Sequence, residues 1–224
     1  MTQKTQFKLH LETLKKIDTI MTALRNLSFI EMNKASRFLS TQDQIQTLMN
    51  QIGNDFLTSY PEYQLHIHYA VPELFVLIGS ERGFCGNFNN TLIDYITKHH
   101  PESTSQNQFI VVGKKLAEKL GNDKRIIQVL AGPNTIEEIS DIIFNVLDTL
   151  NLLSLNIKPG SWNIIFNKKN HNSIQTVIQQ PYLELTTKKS NELSVPCHIN
   201  VSPKQFIKEY MNQYLFYLLN MLFK

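Results

Sequence analysis

Glycine and proline are absent from the first 52 residues, so nothing there obliges a helix to stop or kink. Cysteine is scarce, with only Cys85 and Cys197. No charged segment followed by an apolar run and a small-residue cleavage site opens the chain, which reads as cytosolic and without a disulfide framework. No stretch of about 18 residues is apolar enough to cross a bilayer. The nearest, Tyr214–Phe223, is too short. Charge of one sign is also scarce. The net value is +3, and residues 1–52 hold seven basic against four acidic side chains, so the whole excess lies there. That excess is too small and too interspersed for a nucleic-acid surface, which calls for clustered bases with aromatic platforms, and a mixed helical face of this kind is ordinarily solvated rather than bound to lipid.

What fills the first 52 residues is a heptad seam. With Leu14 at the first core position, Leu14, Ile17, Met21, Leu24, Ala35, Phe38, Ile45, Met49 and Ile52 recur at alternating spacings of three and four, interrupted by Ser28, Glu31 and Gln42. A helix of that length spans roughly 75 Å. Its apolar seam requires a partner helix in the same chain or another.

After it the pattern changes. Gly53 and then Tyr60-Pro61 are expected to break the helix. Gln64–Tyr69 alternates like a short strand with His66 and His68 on one face, a pair without a third ligand and so better read as ordinary strand histidines than as a metal site. Leu74–Gly79 is a continuous apolar run ended by glycine, Asn89–His99 is helix-like, Gln108–Val112 repeats the apolar run, and Lys114–Leu120 reads as a helix. Arg125–Leu130 follows as a strand, Thr135–Leu150 as an amphipathic helix opened by Asn134 or Thr135, and Trp162–Phe166 and Ser173–Gln179 as two antiparallel strands across the turn at 167–172. A final helix starts near Pro203, capped by Ser202, and runs to Lys224. Strands alternating with helices predict an α/β domain with a mostly parallel sheet, flanked by terminal helices that form an antiparallel coiled coil. The expected divisions are a coiled-coil helix at 1–56, the α/β domain at 57–202 and a coiled-coil helix at 203–224. The last is less than half as long as the first.

The turn after the first apolar run is the most specific local pattern. Ser80-Glu81-Arg82-Gly83-Phe84-Cys85-Gly86-Asn87-Phe88-Asn89 places two glycines between a buried strand and a helix, with Asn87 or Asn89 able to cap that helix. A glycine-rich turn can hold phosphate, but no Gly-Lys-[Ser/Thr] follows, so a nucleotide site is the weaker reading. Cys85 beside Arg82 could be an activated thiol, though a small packed residue is the commoner case.

The turn resembles the (S/T)-x-D-R-G-L-C-G-x-x-N signature of the gamma subunit of rotary F-type ATP synthases. Ser80, Arg82, Gly83, Cys85, Gly86 and Asn89 match, while Glu81 stands for Asp and Phe84 for Leu. Lys16, Ile17 and Met21 resemble that family's early K-I-x-x-x-M helix, Val112-Gly113-Lys114-Lys115 its G-x-K corner, and Asn167-Lys168 its strand-end N-K. The resemblance implies a central-stalk subunit that is not catalytic alone and needs no cofactor or metal. Its implied partners are the alpha and beta subunits, epsilon and the c-ring, on the cytoplasmic side of a bacterial inner membrane, with membrane contact only through the c-ring. The signature turn would be structural. Two departures stand out. Arg25–Met32 replaces the family's A-A-S-K-M-R run, and most of the family's C-terminal helix is missing after Leu222-Phe223-Lys224, which implies a truncated or divergent subunit. Two other classes remain open on the residues alone, a coiled-coil adapter outside any ATPase and a small nucleotide-dependent α/β enzyme. Apart from the Ser80–Gly86 turn, no convergent acids, bases or nucleophiles support the latter.

Overall fold

A computed structural model describes residues 3–63, 74–101, 107–154, 162–170, 173–181 and 197–223. The elements in chain order are helix α1 (Gln3–Ser59), strand β1 (Leu74–Ile78), helix α2 (Phe88–His99), strand β2 (Gln108–Val112), helix α3 (Lys114–Leu120), strand β3 (Ile126–Leu130), helix α4 (Ile139–Ser154), strands β4 (Trp162–Asn170) and β5 (Ser173–Gln179), and helix α5 (Pro203–Phe223). The chain forms two compact units, Met1–Thr41 and Gln42–Lys224.

In the first unit α1 exposes its apolar residues. Leu14, Ile17, Met21 and Leu24 of the seam are 43–53% exposed, and Phe7, Ile20 and Phe29 are more so. The side chain of Phe38 lies outside the described residues. Ala35 is half-buried.

In the second unit the sheet has the order β3-β2-β1-β4-β5. β1 pairs in parallel with β2 and with β4, β2 pairs in parallel with β3, and β4 pairs antiparallel with β5. Strands buried on both faces are continuous apolar runs because each residue must fill one of two cores. Leu74, Val76 and Ile78 of β1 pack in one core with the end of α1, α4 and α5. Phe75 and Leu77 pack in the other with Leu92 and Ile96 of α2 and Leu116 of α3. The expected mostly parallel sheet between terminal helices is the fold observed.

The part of α1 after Gln42 does pack on α5. The rings of Phe56 and Phe206 stack at 4.6 Å, and the Tyr210 hydroxyl donates to the Met49 carbonyl at 2.7 Å. Contacts that recede along α1 as they advance along α5 define an antiparallel pair. Burial pushes the Tyr210 hydroxyl well above its ordinary pKa, with the neighbouring Tyr214 adding to it, so it remains a donor.

Several boundaries differ from expectation. α1 passes through Gly53, which is buried, and ends at Ser59. Glycine costs a helix interior about 1 kcal/mol, but tertiary packing of the flanking Met49, Phe56 and Leu57 outweighs it. β4 runs four residues past Phe166, because the polar Asn167–Asn170 pair backbone to backbone with β5, ending in Asn170 opposite Ser173. Asn167-Lys168 is therefore mid-strand rather than strand-end. β3 begins at Ile126. A 3-10 turn, Ile136–Glu138, precedes α4, and Thr135 makes no side-chain cap; the Asn134 amide instead donates to Glu138 Oε2 at 2.8 Å. Ser202 caps α5 as expected, its hydroxyl accepting from the Gln205 amide at 3.3 Å. The stretch Gln64–Tyr69, with His66 and His68, lies outside the described residues.

Candidate functional site

The strand order places a topological switch between β1 and β4: the chain moves outward through β2 and β3, then returns through α4 to the other side of β1. In open α/β sheets the crevice beyond the carboxyl ends of the strands at such a switch is where function concentrates. The segment that leaves β1 there is the signature turn Ser80–Asn89.

Its polar side chains bond to one another and to the neighbouring elements there. Asn89, buried, accepts from the Ser80 amide at 3.0 Å and donates to the Ser80 hydroxyl at 2.8 Å. It is thus no helix cap, and Asn87, at the cap position of α2, makes no side-chain cap bond either. Asn167 of β4 donates to the Phe88 carbonyl and accepts from the Thr176 hydroxyl at 2.7 Å, which ties α2 to β4 across the switch.

Glu81 binds the turn to the other two strand ends. Its Oε2 accepts from the amide of Lys114 at 2.9 Å and that of Gly132 at 2.8 Å, and Lys114 Nζ lies 3.3 Å from Oε1. The Glu81 side chain is 8% exposed. Burial alone would raise its pKa, but the two amides and the Lys114 ammonium together hold the carboxyl below its ordinary value. One carboxylate therefore neutralises the start of α3 and the turn after β3. The backbone is equally close: the Lys115 amide donates to the Ser80 carbonyl at 3.1 Å. Gly113 holds φ +113°, and a Cβ there would lie 2.7 Å from the Gly79 oxygen. A Cβ on Gly79 would lie 2.4 Å from that of Leu116.

The outer part of the turn faces away. Phe84 has φ +63° and is 98% exposed. A non-glycine residue in the left-handed region costs about 1 kcal/mol or more, and the 98% exposed ring buries too little surface among the described residues to offset it. Cys85 is exposed too, its thiol donating weakly to the carbonyls of Arg82 and Gly83 at 3.4 and 3.5 Å. The expectation of a packed cysteine is corrected: the turn points outward where the sequence resembles a buried one. Arg82 reaches Asn134, its Nε donating to Oδ1 at 3.0 Å.

Sequence reading named Glu81 only as a substitute for Asp and missed its two amide partners. The signal was present, because Glu81, Lys114 and Gly132 each follow the end of one of three adjacent parallel strands. It also missed a second cluster at the opposite, amino ends of the same strands, just before β3 and at the start of β2. There Arg125 binds Asp123, with Nη2 to Oδ2 at 2.7 Å, lies 4.6 Å over the Phe109 ring, and donates through Nη1 to the His100 carbonyl. Pairing with Arg125 lowers the Asp123 pKa. Burial, His99 and Arg125 lower that of His100, whose Nδ1 lies 3.2 Å from Asn107 Nδ2.

Among the described residues no group of three or more His, Cys, Asp or Glu could hold a metal ion, and no helix is long and apolar enough to cross a membrane. A turn whose polar side chains are bonded to one another and to the neighbouring strand ends, in a chain that exposes an apolar helical seam, has the character of an assembling subunit. A family model described as ATP synthase matches residues 3–223. The ATP synthase gamma chain of Clostridium kluyveri is 20% identical over 215 residues, covering 93% of this chain and 74% of that protein. That of Rickettsia typhi is 21% identical over 227 residues, covering 96% and 78%. Among solved structures, the rotor of the Euglena gracilis mitochondrial ATP synthase aligns with TM-score 0.48 at 13% identity, covering 86% of this chain and 82% of that one. The central stalk and c-ring of the Tetrahymena thermophila enzyme aligns with TM-score 0.44 at 16% identity, covering 85% and 92%. The chain belongs to the gamma subunit family of ATP synthases, an assignment that rests on the family match over nearly its whole length.

Proposed function

We propose that the chain is the central-stalk subunit of a rotary F-type ATP synthase, coupling ion flow through the membrane sector to ATP synthesis or hydrolysis at a hexamer of alpha and beta subunits. It contributes no catalytic group. Its work is differential contact: a shaft biases the conformations of the catalytic subunits only by touching them unequally, since an effector shifts an equilibrium solely through its different affinities for the states. Epsilon and the c-ring are the remaining partners, and the chain sits peripherally on the cytoplasmic face of a bacterial inner membrane. The helix at 1–56 and the helix from Pro203 serve as the shaft, and the α/β domain between them as its base.

The observation that carries this reading is the α1 seam, with Leu14, Ile17, Met21 and Leu24 exposed in a chain of this family. Side chains of that kind in heptad order belong against another helix or a protein wall. The signature turn supports it, holding Phe84 outward in a strained conformation on a base stitched rigid by Glu81 and Asn89. Leu24→Asp tests the reading. A charge buried on the seam should lower recovery of alpha and beta with the tagged chain by about tenfold or more. Lys15→Ala, off the seam, should change mainly the salt dependence of association. Equal recovery with Leu24→Asp would overturn the reading.

A further inference from the structure

The amino-terminal part of α1 carries more apolar side chains than the core line of a two-helix seam uses. With Leu14 at heptad position a, Leu11 and Met32 fall at e, and Ile20 and Leu27 at g. Those positions border the seam and are ordinarily charged. All four are nonetheless apolar and 41–59% exposed, like the core residues Leu14, Ile17, Met21 and Leu24 between them. The two remaining e positions of this stretch hold Asp18 and Arg25, both exposed and one heptad apart. Residues 11–34 carry four basic and three acidic side chains, so two copies of this stretch repel one another little. The set is self-complementary in one arrangement. When two such helices run antiparallel, a faces d, e faces e and g faces g. With Met21 opposite Leu24 of a second copy, Asp18 meets Arg25 of that copy, Ile20 meets Leu27 and Leu11 meets Met32, and the dyad repeats each pair. Sliding one copy by a heptad sets Arg25 against Arg25, or Asp18 against Asp18. A parallel pair sets Glu31 against Glu31 across the core. In the antiparallel pair Glu31 lies opposite Leu14 near each end, already bonded to Lys34 at 3.0 Å, and a polar residue at a core position fixes register at a cost in stability.

We infer that the free chain pairs with a second copy of itself through residues 11–32 of α1, antiparallel, in the register that sets Asp18 of each copy against Arg25 of the other. The pair spans roughly 33 Å of helix. Its apolar contacts supply the affinity, and the two charge pairs select register and direction, because like charges placed opposite one another are penalised. The second copy covers the seam of the unassembled chain, so dimer and complex compete for one surface and assembly must displace the copy. This is a property of the free chain and stands apart from the central-stalk reading.

Sedimentation equilibrium of the purified chain tests it. The parent should sediment at twice the 26.0 kDa of one chain. Asp18→Arg alone sets Arg against Arg at both charge pairs, and Arg25→Asp alone sets Asp against Asp, so each should raise the dissociation constant about tenfold or more. The double variant Asp18→Arg with Arg25→Asp should restore the dimer. So should an equimolar mixture of the two single variants, which can satisfy both pairs only with each other. Both residues are exposed on α1, outside the two cores of the α/β domain, so the thermal melt of that domain should not move. A parent that stays monomeric throughout the micromolar range would overturn the inference. A dimer that ignores both single substitutions, or one that neither the double variant nor the mixture restores, would overturn it as well. Capture of alpha and beta subunits through a tag on the chain is read separately. A self-pair without capture leaves this inference and overturns the central stalk; capture with a monomeric free chain does the reverse.

Discussion

Removing the Glu81 carboxylate should be among the most damaging changes to the α/β domain that leave its apolar cores untouched. The side chain is almost fully buried and accepts from two backbone amides, those of Lys114 and Gly132. Hydrogen bonds to a charged acceptor contribute about 1.5–3 kcal/mol each. Glu81→Ala deletes both and strands the buried Gly132 amide, while the exposed Lys114 amide can turn to water, so the expected loss is about 2–4 kcal/mol. The ion pair with Lys114 adds little, because the Lys114 side chain is 67% exposed. Glu81→Gln keeps an oxygen for the amides and loses only the charge assistance, for about 1 kcal/mol. Urea unfolding followed by the fluorescence of Trp162, the single tryptophan, at the start of β4, measures both. The midpoint should fall in the order parent, Gln, Ala with an unchanged slope. Equal stability of the Gln and Ala variants, or an Ala variant within about 0.5 kcal/mol of the parent, the ordinary range of surface substitutions, would refute the reasoning.

The remaining expectations concern pH, backbone and strain. Glu81 has a lowered folded pKa, so its contribution is complete above the unfolded value of 4.5 and is lost as pH falls through the lower folded value; the parent and Glu81→Gln should converge there in unfolding free energy. His100 is also lowered, but as a base, so the unfolded chain binds the proton first, and stability should begin to fall below pH 6.5, a loss that His100→Gln removes from the stability profile. Gly113→Ala should cost more than about 3 kcal/mol, because its Cβ would strike the Gly79 and Ser80 oxygens, whereas Gly121→Ala, at φ +62° in open space, should cost only about 1 kcal/mol in the same urea assay. Phe84→Gly should stabilise the isolated chain by up to about 1 kcal/mol by relieving its left-handed backbone.

Much of this architecture was legible locally. Gln108–Val112, Lys114–Leu120 and Ser173–Gln179 were bounded to the residue, because apolar runs and period-two alternation end there at glycine or polar turns. Errors arose where a distant partner decides. Gly53 continues a helix because the core around Phe56 holds it, and Asn167–Asn170 extend β4 because β5 lies opposite. The candidate site followed the same division. The signature turn was visible as a motif, but the use of Asn89 on Ser80 rather than on α2, and of Glu81 on Lys114 and Gly132, depends on which strands lie side by side. Exposure of Cys85 and Phe84 was likewise unreadable, since small and aromatic residues after a buried strand are more often packed.

The native mass of the complex captured through a tag on this chain tests the central claim most directly. The account predicts alternating alpha and beta subunits in equal number around one copy of the chain, disrupted when Leu24 is replaced by Asp. Recovery of the chain alone, or only as copies of itself, under conditions that preserve the native complex would contradict it.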